Sequence, residues 1–349
     1  MRRSVAMFGA IVLGAAKIAA QQVPVTTLKP SNGALKEPLH AESLNDGVNF
    51  PRELRELSDG RVLVTDGMRT LLADFATGLM DVRRDLPGGG SLVALPGDSS
   101  IIIMPDGWHY LDRLRPVGML PATNPLVILA TGYDRIYGTD DRGHMLMQIP
   151  QKRFEDSIAV VLVDRVSGDR QVVAKLRPAD PVPRGIFRPV CQMFERAVLA
   201  SDGWMAVVRV NPYRVDWRSP NGKWTLGAPI PTPALPMTQR EKDVYLKWRE
   251  GERHQTPMDS IHSWPATVCP WIGFYSPIPT PDAKLVVYRV PTSEAPATRY
   301  DVIDRDGRVE RQLAMPASDA ILGFGRKSVF IVTTTSEDGT QTIRRHPWP

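Results

Sequence analysis

Side chains that could bind a metal ion or transfer a proton are few in this sequence and widely spaced. None of the six histidines forms a pair with the short spacing of a zinc motif. His254 and His262 lie near several charged residues, but they would have to converge in space to act together. Gly88-Gly89-Gly90 lacks the Lys-Ser/Thr pair of a phosphate-binding loop, and no Gly-x-Ser-x-Gly nucleophile elbow occurs. The sequence therefore contains no recognised catalytic motif.

Aromatic and arginine side chains are the stronger candidates for a binding site, because they are frequent anchors in recognition surfaces. Some of them lie shortly before runs that we predict to be inner strands of the fold, and others lie in a long segment that could cover them. The predicted ligand-binding residues of these two kinds are Arg52, Arg188, Trp248, Trp264 and Trp271. The alternative is that these aromatic side chains pack beneath the long segment.

A weak internal repeat positions these candidates. In each copy a turn leads into an apolar β-rich run, and repeats of this length are typical of propellers and solenoids. The six copies begin at Ser58-Asp59-Gly60, Pro96-Gly97-Asp98, Thr131-Gly132-Tyr133, Ser201-Asp202-Gly203, Pro281-Asp282 and Gly325-Arg326.

An aspartate follows in five of the six copies, where we expect a strand to end and a tight turn to begin. Asp side chains suit such turns because they accept hydrogen bonds from the backbone two residues on. These aspartates are Asp74, Asp112, Asp164, Asp216 and Asp304. Their recurrence favours a structural role.

Two hairpins per copy give four antiparallel strands, which is the blade of a β-propeller. We therefore predict an all-β, six-bladed β-propeller over residues 21–349, with seven blades as the alternative if residues 144–176 contain an extra unit. Residues 229–270 form an insertion between blades four and five, and Thr238 with Glu241 is a capping box for a helix over 238–252. Residues 23–28 are expected to complete the last blade and close the ring.

The first copy reads Asn49-Phe50-Pro51-Arg52-Glu53-Leu54 and continues through Ser58-Asp59-Gly60. It resembles the NHL-type repeat, and residues 48–349 resemble exported bacterial six-bladed propellers of the NHL/TolB-like superfamily. That superfamily also contains calcium-dependent lactonases, whose metal is held by oxygen ligands at the starts of inner strands. Asn49 falls near such a place, so the resemblance adds Asn49 to the predicted ligand-binding residues. The other predicted inner-strand starts are apolar or aromatic: Leu92, Pro125, Phe194, Phe274 and Ile321.

Residues 1–20 have the order of a secretory signal peptide, with Arg2 and Arg3, an apolar run from Val5 to Ala16, and small residues at Ala19 and Ala20. We expect export to the periplasm or the cell exterior, and no later transmembrane segment. In an oxidising compartment Cys191 and Cys269 are candidates for a disulfide, the alternative being two buried thiols.

Basic and acidic residues alternate in sign along the chain, which argues against a nucleic-acid partner. The expected function is a monomeric binding scaffold, without a cofactor, that recognises a small ligand or an envelope protein at one rim of the channel. The alternative is a calcium-dependent, lactonase-like hydrolase with its metal in the channel.

Overall fold

Six small sheets, in which the strands of each blade are antiparallel, form a propeller, which confirms the predicted fold. The structure is a computed structural model, and it describes residues 24–27, 53–66, 69–88, 90–104, 106–120, 136–149, 157–177, 195–232, 234–251, 264–269, 277–334 and 341–348. Residues 1–20 lie outside these ranges, so the signal peptide stays a prediction.

The first three blades have four strands each. Blade one contains β2 (Glu53–Glu56), β3 (Val62–Thr65), β4 (Thr70–Asp74) and β5 (Leu79–Val82). Blade two contains β6 (Ser91–Ala94), β7 (Ser100–Met104), β8 (Gly107–Asp112) and β9 (Arg115–Met119). Blade three contains β10 (Ile136–Thr139), β11 (His144–Gln148), β12 (Ile158–Asp164) and β13 (Arg170–Leu176).

Blade four contains β14 (Arg196–Leu199), β15 (Met205–Val210), β16 (Tyr213–Arg218) and β17 (Trp224–Thr225). Blade five contains β18 (Ile278–Pro279), β19 (Leu285–Arg289), β20 (Thr298–Ile303) and β21 (Val309–Met315). Blade six has three strands among the described residues: β22 (Asp319–Phe324), β23 (Ser328–Thr334) and β24 (Gln341–Pro347).

The first strand of each blade is its inner strand, and the inner strands are neighbours around a closed circle. Each of them approaches the inner strand of the next blade, and β22 of blade six approaches β2 of blade one. The hydrophobic core lies between blades. Val62 and Val64 of blade one, for example, share a cluster with Phe330 of blade six, and all three are fully buried. A blade can bury both of its faces only in the complete ring.

The N-terminal strand does not attach where the sequence suggested. Strand β1 (Val25–Thr27) pairs in parallel with β21, the outer strand of blade five, and not with blade six. The ring is instead closed by β22 against β2. The expectation was wrong because it assumed that the last blade lacks only its outer strand and that the N-terminus must supply it.

The repeat is out of phase at one copy. In five copies the β-rich run is the second strand of a blade, whereas Arg135-Ile136-Tyr137 runs into β10, which is an inner strand. The second strand of blade three is β11, which follows the turn of Asp140 and Gly143. The Asp140 carboxylate accepts a hydrogen bond from the backbone N–H of His144. This turn is therefore stabilised in the same way as the other turns, although its sequence does not match the repeat.

Three of the five repeated aspartates make the expected turns. Asp74, Asp164 and Asp304 each accept hydrogen bonds from backbone N–H groups two to four residues on. Those bonds lower the pKa of Asp74 and Asp164, chiefly through the N–H groups of Ala76 and Ser167 respectively.

Asp112 and Asp216 depart from this pattern. Asp112 is followed by a two-residue turn, and its carboxylate accepts a bond of 3.3 Å from the Ser99 hydroxyl. Asp216 is fully buried within β16 and pairs with arginines, while the turn after β16 is stabilised by Ser219 and Asn221. The interpretation of Asp216 as a turn residue was therefore wrong.

The helix α1 (Gln239–Gly251) lies in the insertion between blades four and five, as predicted. Only half of the capping box forms. The Glu241 N–H donates to Thr238 Oγ1 at 3.4 Å, but the Glu241 carboxylate accepts bonds from the backbone N–H and the hydroxyl of Ser293 in blade five. The cap therefore also attaches the helix to the ring. No helix among the described residues is long and apolar enough to cross a bilayer.

Candidate functional site

The two faces of the ring differ in the length of their connections. Because neighbouring strands in a blade are antiparallel, the first and third connections of each blade share one face, here called the turn face. None of these is longer than five residues, as in 57–61. The second connection of each blade and the links between blades lie at the opposite face, the loop face.

On the turn face, every pair of neighbouring blades is joined by a hydrogen bond. The donors and acceptors, from the first interface to the last, are Ser58 N to Asp98 at 2.9 Å, Thr139 Oγ1 to Ala94 O, Asp141 N to Ser201 O at 2.7 Å, Arg305 to Asp202, Trp348 Nε1 to Asp282 at 2.6 Å, and Arg326 N to Glu56 at 2.6 Å. All six blade interfaces are hydrogen-bonded on this face and its turns are short, so we interpret it as the structural face of the molecule.

The loop face has the long connections. Residues 120–135, 177–195 and 226–277 each leave the outer strand of one blade and lead to the inner strand of the next. Long connections on a rigid scaffold are the usual location of binding residues. The loop face is therefore the candidate functional face.

A polar chain lies on this face where blades three and four meet at the channel. Tyr137, the second residue of β10, donates from its hydroxyl to Gln148 Oε1 at 2.7 Å. Arg196, the first residue of β14, approaches the same hydroxyl at 3.5 Å through its guanidinium. All three side chains are partly exposed. They combine a cation, a phenol and an amide at one point of the rim.

A network of ion pairs in blade four lies next to this part of the rim. Arg209 binds Glu195 at 2.7 Å and Asp216 at 3.0 Å, and Arg214 binds Asp216 at 2.9 Å. Burial acts to lower the pKa of Arg209, but the bonds to Asp216 and Glu195 outweigh it and raise the pKa. The backbone N–H of Arg177 also donates to Glu195 at 2.7 Å, which joins the end of blade three to blade four.

A second buried polar group joins blades four and five. The Tyr213 hydroxyl donates to Asp301 Oδ2 at 3.0 Å, and Gln312 donates to Asp301 Oδ1 at 2.7 Å. Arg289 lies 3.4 Å from the same carboxylate and 5.2 Å from the centroid of the Tyr213 ring. Burial, together with the negative charge of Asp301, holds the pKa of Tyr213 well above its usual value. This group is a structural connection, because Tyr213 and Asp301 are closed to solvent.

Trp248 and Trp264 belong to an aromatic cluster that holds α1 on the ring. Trp248 is 5% exposed and stacks on Tyr288 of blade five, with ring centroids 6.0 Å apart. Tyr245 contacts both tryptophans edge to face, at 5.3 and 5.7 Å. Trp264 is only partly buried, and the Lys242 ammonium lies 5.5 Å from its ring. The packing alternative therefore describes Trp248, whereas Trp264 stays partly exposed to solvent.

The other predicted site residues, Asn49, Arg52, Arg188 and Trp271, lie outside the described residues. So does Cys191, while Cys269 is buried at 6% exposure. The proposed pairing of the two cysteines remains a prediction.

The starts of the inner strands are where the calcium-dependent alternative would place its oxygen ligands. They are more acidic than predicted, because β22 begins at Asp319 rather than at Ile321, and β2 begins at Glu53. The Glu53 carboxylate accepts the Leu92 N–H of the neighbouring inner strand, and Glu195, just before β14, is paired with Arg209. No group of three His, Cys, Asp or Glu side chains in the described ranges could hold a metal ion.

Sequence reasoning missed Tyr137 and Arg196. Tyr137 was assigned to the wrong strand because the third copy of the repeat was out of phase. Arg196 directly follows Glu195 at the start of a strand, and the pair of opposite charges at that position is the signal that could have identified it.

No family model and no curated protein sequence matches this chain. Solved structures with a similar fold include a calcium-binding protein, regucalcin, from Agrobacterium tumefaciens, at 12% identity with a TM-score of 0.45, covering 93% of this chain and 97% of that one. TolB from Acinetobacter baumannii gives 13% identity and a TM-score of 0.39, covering 77% and 58%. A virginiamycin B lyase from Staphylococcus aureus, crystallised with quinupristin, gives 11% identity and 0.38, covering 88% and 83%.

Proposed function

We propose that this chain is a binding scaffold that recognises a small ligand or a protein partner on its loop face, at the rim of the central channel. The observation that supports this is the contrast between the faces. Every described turn-face connection is short, and all six blade interfaces are bonded there, whereas the long connections begin and end on the loop face. A rigid ring with long loops on one side is suited to recognition.

The setting that fits this role is the periplasm or the cell exterior. The charged, apolar and small-residue order of residues 1–20 supports export, after which the mature chain would begin near residue 21. Export also supports a bridge between Cys191 and Cys269, because disulfides persist in oxidising compartments. The mature protein is proposed to act as a monomer.

Photo-crosslinking from matched positions tests the proposal. A photoreactive phenylalanine analogue is placed at Tyr137 or Gln148 on the loop face, and at Arg308 or Asp59 on the turn face as controls. The full chain is irradiated in the cells that express it, and intact mass then reveals either a small adduct or an attached protein. We expect adducts from the loop-face positions only.

Adducts formed mainly from Arg308 and Asp59 would contradict the proposal, as would the absence of adducts from both loop-face positions. Circular dichroism of each variant establishes that the β-sheet signal of the wild type is retained, so that a missing adduct cannot be attributed to unfolding.

A further inference from the structure

We infer that the loop-face end of the interface between blades four and five binds an oxyanion, the carboxylate or phosphate group of a ligand, through Arg289 and Arg299. The two residues lie outward of the channel rim, on the face that we propose as the binding face. The inference therefore rests on the proposed function and adds a chemical class of ligand to it.

The first step is that the two arginines are neighbours at one end of blade five. Arg289 is the last residue of β19, Arg299 is the second residue of β20, and the two pair directly in the antiparallel register. The Cβ atoms of such a pair are about 4.5–5.5 Å apart, and both side chains lie on the same face of the sheet. Because the link from β19 to β20 is the second connection of its blade, this end is at the loop face.

The second step is that both side chains face blade four. The Arg289 guanidinium lies 5.2 Å from the centroid of the Tyr213 ring of blade four. Asp301, two residues after Arg299 in the same strand, accepts the hydrogen bond of the Tyr213 hydroxyl. Residues two apart in a strand point to the same side of the sheet, so Arg299 also faces blade four. The two guanidinium groups are therefore enclosed between two blades.

The third step is the balance of charge. Asp301 lies 3.4 Å from Arg289, and it already accepts hydrogen bonds from Tyr213 and Gln312. In the described part of the chain, no carboxylate forms an ion pair with Arg299. Like charges directly opposite each other on neighbouring strands destabilise a sheet. The second positive charge therefore needs a counter-ion that the described residues do not supply.

The fourth step is that both guanidinium groups have hydrogen-bond donors without an acceptor. Arg299 Nε is closed to solvent and makes no hydrogen bond to a described residue, and the same holds for Arg289 Nη1, although it is within ion-pair distance of Asp301. Buried donors in native proteins are nearly always satisfied by protein, water or an ion. Both side chains are partly exposed as a whole, Arg289 by 18%, so a solute can approach them from the loop face.

The last step is the kind of ligand that satisfies such a pair. A guanidinium offers planar donors that match a carboxylate or a phosphate in a bidentate manner, and the negative charge of either group supplies the missing counter-ion. The Tyr213 ring and the Asp301 carboxylate hold Arg289 in position. This part of the site is therefore formed before the ligand arrives, which limits the entropic cost of binding.

Calorimetric titration of the full mature chain with inorganic phosphate and with citrate tests this inference. We expect at least one of these anions to bind with a Kd of about 1 mM or tighter and to raise the Tm of the wild type. Arg299→Gln should weaken that binding about tenfold or more. It should also leave the Tm of the anion-free protein unchanged or higher, because it removes a like charge from opposite Arg289. A clear fall in that Tm would contradict the charge balance on which the inference rests.

The matched control is Arg308→Gln, which removes the same charge from an exposed site on the turn face and should leave the Kd within about twofold. Arg289→Gln is the second test and should weaken binding as Arg299→Gln does. Binding of phosphate but not citrate would identify a phosphorylated ligand, and the reverse a carboxylate. Binding of neither anion, or binding that persists in both variants, would overturn the inference. Loop-face crosslinks obtained together with such a result would leave the proposed function standing.

Discussion

Replacing Tyr213 by phenylalanine removes one hydroxyl group from the interface between blades four and five. That hydroxyl donates to the buried carboxylate of Asp301 at 3.0 Å. The ring, its packing in the core of the two blades and its contact with Arg289 all remain. Gln312 and Arg289 also stay beside Asp301. The change therefore isolates one hydrogen bond to a buried charge.

The expected loss follows from the charge and the burial. A hydrogen bond to a charged group contributes about 1.5–3 kcal/mol to stability. Tyr213→Phe should lower the free energy of unfolding by this amount at pH 7. The pKa of Tyr213 is raised in the folded state, chiefly by burial, so the unfolded chain releases this proton at lower pH than the folded chain does. The stability that Tyr213 provides is thus fully present below pH about 10 and is lost as the pH rises further, by ~1.4 kcal/mol per unit.

Urea unfolding followed by circular dichroism, at pH 7 and at steps above pH 9, measures both effects. Tyr110→Phe, the same change at a partly buried tyrosine of blade two, is the control. A Tyr213→Phe variant within about 0.5 kcal/mol of the wild type at pH 7 would refute the reasoning. A difference between the two proteins that grows above pH 10 would also refute it.

Four further outcomes are expected. Trp248→Ala should lower the free energy of unfolding by about 3–5 kcal/mol, because a buried ring stacked on blade five is lost; a loss similar to that of an exposed residue would show that α1 is not part of the ring. Asp164→Ala should lower Tm above pH about 4, because the hydrogen bonds from the Ser167 and Val166 N–H groups lower the pKa of Asp164 in the folded state. The difference in Tm between the variant and the wild type should vanish as the pH falls and Asp164 becomes protonated. Asp81→Ala, at an exposed position, is the control. Peptide mass spectrometry without reduction should find Cys191 linked to Cys269, and two alkylated thiols would contradict the pairing. Dialysis against a chelator should leave Tm unchanged, because Glu53 and Glu195 are engaged by N–H donors, and a clear fall would favour the calcium-dependent alternative.

The architecture could be predicted from the sequence because the turn residues and the second strands repeat. Asp74, Asp164 and Asp304 act through bonds to their own neighbouring backbone, and such local chemistry is visible in sequence. The attachment of β1 to blade five could not be predicted. It depends on which outer edge the N-terminal strand meets in space, and a three-residue strand does not specify its partner.

The site was less predictable for the same reason. Tyr137 and Arg196 become neighbours only when blades three and four pack together, although 59 positions separate them. Trp248 was interpreted as a ligand-binding residue, but a large aromatic residue in an insertion can equally anchor that insertion. The sequence does not show that Tyr288 lies beneath it.

The hydrogen bonds that join all six blade interfaces at one end hold the ring at a fixed diameter. A connection at the opposite end can then be lengthened, shortened or exchanged without a change in the spacing of the blades. The 52-residue link at 226–277, which contains its own helix, shows how large an addition the wheel already accommodates. New recognition loops could therefore be grafted onto this ring at any of the other blade junctions.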